Sequence, residues 1–219
     1  MSAVRPELGP SLPELLGPRV RSWPRPLQLA LAVLLALLAL LLLWALLLRG
    51  DPPATAKRSV IVRHPIAFNF VYRSPFHKLD HGPSELAKVG SEKSGQSFAV
   101  RELRLPAYHG DAAGFLPLYA SQQHDAMAKA FPGFRWRTDG RANINKQQGY
   151  EIVFQYRSGG GDLLYGRRVL LLPSVTARQG VDLLLLAPRS PAVVRADDAG
   201  KNGGLKTALR SFRFGTERP

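Results

Sequence analysis

The chain contains no cysteine among its 219 residues. That absence removes disulfides, thiolate metal sites and cysteine nucleophiles together, so any folded part must be held by packing and hydrogen bonds alone. Acidic residues are scarce: 16 Asp and Glu stand against 30 Lys and Arg, a formal charge of +14. Signatures of chemistry are missing as well. There is no H-E-x-x-H zinc motif and no G-x-S-x-G nucleophile elbow. The glycine-rich stretch Ser158-Gly159-Gly160-Gly161-Asp162 has neither a following helix nor a P-loop lysine, so it reads as a hairpin turn, not a phosphate cradle. His77 and His81 stand four apart beside Asp80, but Pro75 and Pro83 enclose them, and a solvated loop is expected. His109-Gly110-Asp111 and His124-Asp125 could orient an imidazole, yet neither has a serine to activate. Glu85, Glu92, Glu102 and Glu151 fall in unrelated elements. No catalytic residue, metal site or cofactor is expected, and catalysis stays an alternative only for a site that sequence cannot show.

What the chain has in abundance is one apolar run. Residues 27–48, LQLALAVLLALLALLLLWALLL, hold Gln28 as the only polar side chain. At about 1.5 Å of rise per residue this is a helix of roughly 33 Å, enough for a hydrocarbon core of about 30 Å. Trp23 and Trp44 lie near its ends, and Arg21, Arg25 and Arg49 bracket it. Ala54-Thr55-Ala56 offers an A-x-A cleavage site. The run is too long for a secretory h-region, however, and Pro52 and Pro53 intervene, so an uncleaved single-pass anchor is expected. Charges on the two sides nearly balance; the short arginine-bearing N-terminus is expected to stay in the cytosol, with the C-terminal domain outside the cell membrane.

The organisation follows from this run. Residues 1–26 carry six prolines and no periodicity and read as a disordered cytosolic tail. Residues 49–57, RGDPPATAK, form a stiff linker. Residues 58–215 make one globular domain, and 216–219 a short tail. The tail and linker hold little of the charge, so the excess sits on a domain tethered beside a bilayer. Its expected partners are the bilayer itself, anionic lipid or a membrane protein complex, with nucleic acid the weaker fit.

Within the domain, SVIVR and AFNFVYR read as strands, with Phe68, Phe70 and Tyr72 on one face and Asn69, Val71 and Arg73 on the other. A short helix is expected at 84–89 after Ser84, then a strand SFAVRELRL. A helix over 117–130 would start on Pro117 and end before Pro132-Gly133. FRWR, YEIVFQYR, LLYGRRVLLLP and VDLLLLAP read as strands, with turns at Asp139-Gly140 and Ser158-Asp162. The last two are apolar on both faces and should be central and covered on both sides. Residues 188–204 read as a long surface loop, and GGLKTALRSFRFG as an amphipathic helix.

In Phe134-Arg135-Trp136-Arg137 the aromatics alternate with arginines, so a strand would place Arg135 and Arg137 together on one face. With Arg141, Arg157, Arg167 and Arg168 on adjoining strands and turns, these six form a candidate patch for an anionic ligand or lipid. The expected consequence is salt-sensitive binding to anionic vesicles through Arg135 and Arg137.

HPIAFNFVYR, INKQQGYEIVFQY, YGRRVLLLP and GGLKTALRSFRFG, in this order, resemble the PsbP-like fold superfamily, named for an extrinsic photosystem protein and shared with a nuclear-import factor that binds Ran. The resemblance spans residues 64–215 and implies an α+β domain, an α/β/α sandwich around a mainly antiparallel sheet. It implies a module for binding or assembly, without a shared active site, as in bacterial membrane-anchored relatives of unknown role. The expected function is therefore a membrane-tethered, non-catalytic interaction module of the cell envelope, or else an accessory subunit of an envelope or transport complex.

Overall fold

The computed structural model describes residues 57–217 and, before them, only Pro24, Pro26, Leu34, Leu37, Leu38 and Leu40. Chain contacts divide the protein into two units, residues 1–54 and 55–219. In the first, Leu34, Leu37, Leu38 and Leu40 are helical and exposed. The rest of the apolar run lies outside the described residues, among which no helix is long and apolar enough to cross a membrane.

The second unit is an α+β domain whose described strands and helices follow the order β1 (Arg58–Val62), β2 (Phe68–Tyr72), β3 (His77–Lys78), β4 (Glu85–Ser91), β5 (Gln96–Arg104), α1 (Ala112–Gln122), α2 (His124–Ala130), β6 (Arg135–Ile144), β7 (Gln147–Arg157), β8 (Leu163–Leu171), β9 (Gln179–Pro188), α3 (Leu205–Ser211) and β10 (Arg213–Phe214). Seven strands form one sheet in the order β3-β4-β5-β9-β8-β7-β6, and β1-β2-β10 form a second, smaller sheet. Every ladder between these strands is antiparallel.

The leucine-rich β8 and β9 lie in the interior of the large sheet because both of their faces are apolar and both need cover. Two buried clusters supply it. On one face, Leu103, Ile152, Phe154, Leu170 and Leu184 pack with Leu116, Ala120 and Met127 of α1 and α2. On the other, Val89, Phe98, Val169, Leu183 and Leu185 pack with Phe68 and Phe70 of β2 and Leu205, Leu209 and Phe212 at α3. Phe70 meets Phe98 edge-on at 4.9 Å between centroids, which locks the small sheet to the large one.

Several elements differ from the sequence reading. Residues 84–89 are not a helix: ELAKVGS is β4, pairing with β5 and burying Ala87 and Val89 on one face. Alternation of the buried side chains outweighs the Ser84 cap signal there. The helix expected at 117–130 is two helices. Asp111 caps the first, accepting from the Gly114 N–H at 2.8 Å, so Pro117 lies inside α1 and not at its start. Asp139-Gly140 is no turn but the middle of β6, and the hairpin closes instead at Asn145 and Lys146, with φ of 50° and 70°. That is the left-handed geometry a two-residue hairpin loop requires, met here without glycine. Asn69 does not face solvent, because β10 covers it and its Nδ2 donates to the Gly215 carbonyl at 2.8 Å. Residues 188–204 fold against the sheet, burying Val193, Ala196 and Ala199.

Gly166 shows how closely this core is packed. It pairs with Phe154 across β7 and β8, and a Cβ at position 166 would lie 2.2 Å from Phe154 Cζ. Gly166→Ala should therefore displace the Phe154 ring and destabilise the domain by about 1–3 kcal/mol in denaturant unfolding. An unchanged midpoint would show that the ring does not rest on the sheet at this point.

Candidate anion-binding site

Arg167 and Arg168 are consecutive on β8, so the pleat sends them to opposite faces. One cross-strand row reads Val89, Phe98, Leu185, Arg167, Val153, Thr138; its neighbour reads Lys88, Ala99, Leu184, Arg168, Ile152, Asp139. Each guanidinium thus lies between two apolar neighbours, Leu185 and Val153 or Leu184 and Ile152, and needs a partner on its own side. Arg168 donates Nε to both carboxylate oxygens of Asp182 at 2.9 Å, and its Nη2 lies 2.9 Å from Asp182 Oδ2. Burial opposes its charge, but Asp182 outweighs burial and raises the Arg168 pKa above the usual guanidinium value. Arg167, 2% exposed, donates Nη1 to Glu151 at 3.2 Å and Nη2 to the Asp197 carbonyl at 2.6 Å. Here burial dominates over Glu151, Asp197 and Asp198, and the Arg167 pKa falls below its ordinary value. Its Nε has no hydrogen-bond partner among the described residues.

Beside Arg167 opens a cavity of about 450 Å³, between the end of the β6–β7 hairpin, α3 and the turn at Gly200 and Lys201. Its lining holds four cations, Arg141, Arg167, Lys201 and Arg210, and one carboxylate, Glu151, which Arg167 already engages. Arg141, Lys201 and Arg210 are exposed, and none makes an ion pair among the described residues. Asn145 Nδ2 donates to the Phe212 carbonyl at 3.3 Å and holds the hairpin end against the end of α3. Arg141, Ala142 and Asn143 also line a second cavity of about 540 Å³ on the opposite side of the hairpin, where Lys146, Gln147, Gln148 and Tyr150 join them and no carboxylate is present. Beyond this lining, Asp139 accepts from Trp136 Nε1 at 3.1 Å and from the Tyr150 hydroxyl.

The six arginines singled out in the sequence do not form one patch. Arg141 borders the first cavity with Arg167 but stands in the cross-strand row of Tyr150 and Leu170, on the other face of the sheet, while Arg168 is spent on Asp182. Arg157 turns back on its own hairpin, donating Nη1 to the Gly161 carbonyl at 2.8 Å with its stem against Gly133. Arg135 and Arg137 are exposed at the start of β6, and the register shifts between Trp136 and Thr138, so a bulge at Arg137 interrupts the alternation expected of FRWR. Lys201 and Arg210 were missed. Arg210 was visible as a polar position of an amphipathic helix, whereas nothing in the sequence brings Lys201 to β6.

No family model matches the chain, and no curated protein matches it. Solved structures do show similarity. Cyanobacterial PsbP from Synechocystis sp. PCC 6803 aligns over 75% of this chain and 96% of its own, with 11% identity and a TM-score of 0.47. The Ran-binding protein Mog1p of Saccharomyces cerevisiae aligns over 73% of this chain and 96% of its own, with 8% identity and a TM-score of 0.47. LpqN of Mycobacterium tuberculosis, involved in cell envelope biogenesis, aligns over 76% of this chain and 87% of its own, with 12% identity and a TM-score of 0.45. PsbP and the Ran-binding protein are the two proteins the sequence resemblance had named. Similarity of this size says nothing about ligand or activity.

The Tyr150–Asp139 contact makes a measurable mark on the hairpin. The hydrogen bond to Asp139, with burial and the carboxylate's charge adding to it, pushes the Tyr150 pKa up to about 12. A raised pKa means that the folded state keeps this proton when the unfolded chain, near 10, has lost it. The contribution to stability is complete below about pH 10 and is lost as pH rises towards 12. The difference between tyrosinate absorbance titrations of the parent protein and Tyr150→Phe should show a transition near pH 12; one near pH 10 would mean that the contact does not persist.

Proposed function

We propose that this chain is a membrane-tethered, non-catalytic interaction module, whose folded domain holds an anionic group of its partner in the cavity between the β6–β7 hairpin and α3. The observation that carries this is the charge of the lining: Arg167 and Glu151 neutralise each other, and Arg141, Lys201 and Arg210 remain without a carboxylate partner among the described residues. Guanidinium groups hold phosphate or carboxylate through paired N–H donors, and here Arg210 and Lys201 are the exposed donors of the lining, while Arg167 is spent on Glu151 and the Asp197 carbonyl and shapes the wall. Residues 27–48 supply the tether in this reading, with residues 1–26 as a cytosolic tail, 49–57 as a linker, and residues 58–215 as a PsbP-like α/β/α sandwich outside the cell membrane. A bilayer-anchored cation cluster of this kind meets phosphate on lipid headgroups and on soluble ligands alike.

Binding to the detergent-solubilised full-length chain tests the site. Short-chain phosphatidylglycerol and inorganic phosphate should both bind, short-chain phosphatidylcholine should not, and Lys201→Ala with Arg210→Ala should weaken binding about tenfold. Binding of phosphatidylglycerol without phosphate would assign the site to a headgroup, and the reverse to a soluble anion. Equal affinity of the parent and the double variant for every probe would contradict the proposal.

A further inference from the structure

The two edges of the large sheet are unlike. β3 ends it on one side with two residues, His77–Lys78, too short to template another strand. On the other side β6 runs for ten residues, Arg135–Ile144, and among the described residues its backbone pairs with β7 alone. Alternate residues of such an edge point N–H and C=O away from the sheet, which is the requirement for strand addition. Much of the strand is exposed, including Arg135, Arg137, Thr138, Asp139, Arg141 and Asn143.

Charge decides what can pair there. Arg135, Arg137 and Arg141 are exposed and make no ion pair with any described carboxylate. The only acidic residue of β6, Asp139, is occupied by Tyr150 and Trp136. A second copy is a poor occupant, because self-pairing would bring three arginines from each chain onto one ladder, with only the occupied Asp139 carboxylates to offset them. An extended segment carrying carboxylates on alternate residues satisfies both requirements, its backbone completing the ladder and its side chains, all on one face, meeting Arg135 near the bulge, while Arg141 stands on the other face.

We infer that β6 is a strand-addition site for an extended acidic segment of a partner protein. This surface overlaps the cavities at residues 141–144, whereas the residues tested, Arg135 and Arg137, line neither cavity. The bulge at Arg137 breaks the ladder near one end, so the pairing length is the run from Thr138 to Ile144 with Arg135 and Arg137 as an electrostatic clamp beyond it.

The test titrates the full-length chain in detergent micelles with a fluorescent peptide of about ten residues in which Glu and Val alternate, matched to the length of β6. Anisotropy should report binding, and amide exchange should slow at β6 in the parent protein. Replacing alternate peptide residues with proline should weaken binding at least about tenfold, since proline cannot donate to a ladder. Arg135→Glu with Arg137→Glu should weaken it about tenfold as well. Four results would overturn the inference: unchanged exchange at β6, equal binding of the proline peptide, displacement of the peptide by anionic lipid micelles through the same two arginines, or a concentration-dependent dimer protected at β6. Because exchange is read in the unsubstituted protein, a variant that fails to fold leaves the outcome decided.

Discussion

Two guanidinium groups on consecutive residues of an interior strand constrain how the rest of the domain is arranged. Arg167 and Arg168 face opposite sides of the sheet, each between two apolar cross-strand neighbours. An unpartnered charge in such a row costs several kcal/mol, so both faces must bring a partner to β8. On the side of α1 and α2 the partner is Asp182 of the neighbouring β9, itself 3% exposed. On the other side it is Glu151 of β7 together with the Asp197 carbonyl. The second solution explains why residues 188–204 do not wander over the surface. Their 3-10 turn at Ala196–Asp198 presents a carbonyl to Arg167, and Val193, Ala196 and Ala199 are buried in the process.

Once these charges are used inside, a group of cations at the margin of the sheet remains without an ion pair among the described residues. They lie at the β6–β7 hairpin and on the facing elements: Arg141 on the hairpin, Lys201 and Arg210 across the cavity, Arg135 and Arg137 at the start of β6. The same strand therefore borders a basic cavity and presents a free backbone edge. An edge rich in arginine resists pairing with another copy while it remains open to an acidic strand.

The sequence made the central strands legible because their apolar character is local: LLYGRRVLLLP and VDLLLLAP need cover on both faces wherever they lie, and the structure places them accordingly. The amphipathic α3 was legible for a similar reason, since Leu205, Ala208 and Leu209 fall on one helical face. What misled were signals whose meaning depends on distant partners. Ser84 looks like a helix cap until β5 pairs with the residues after it, and Asp139-Gly140 looks like a turn until β7 continues beside it. The real turn, Asn145-Lys146, lacks the glycine that marks such loops. The candidate site was half legible. Arg141 and Arg167 were named, but whether neighbouring arginines converge depends on the pleat and on which carboxylates the fold brings to each face, and Lys201 and Arg210 arrive from elements remote in sequence.

The central claim is that the buried arginines of β8 serve the fold, and that the exposed cations around the hairpin serve binding. Denaturant unfolding of Asp182→Ala, compared with the paired replacement Arg168→Met and Asp182→Leu, tests it most directly. The single change should cost about 3–5 kcal/mol, because Arg168 is left charged and buried, and the pair should keep near-parent stability with unchanged phosphate binding. A mild single variant, or a stable paired variant that no longer binds phosphate, would contradict it.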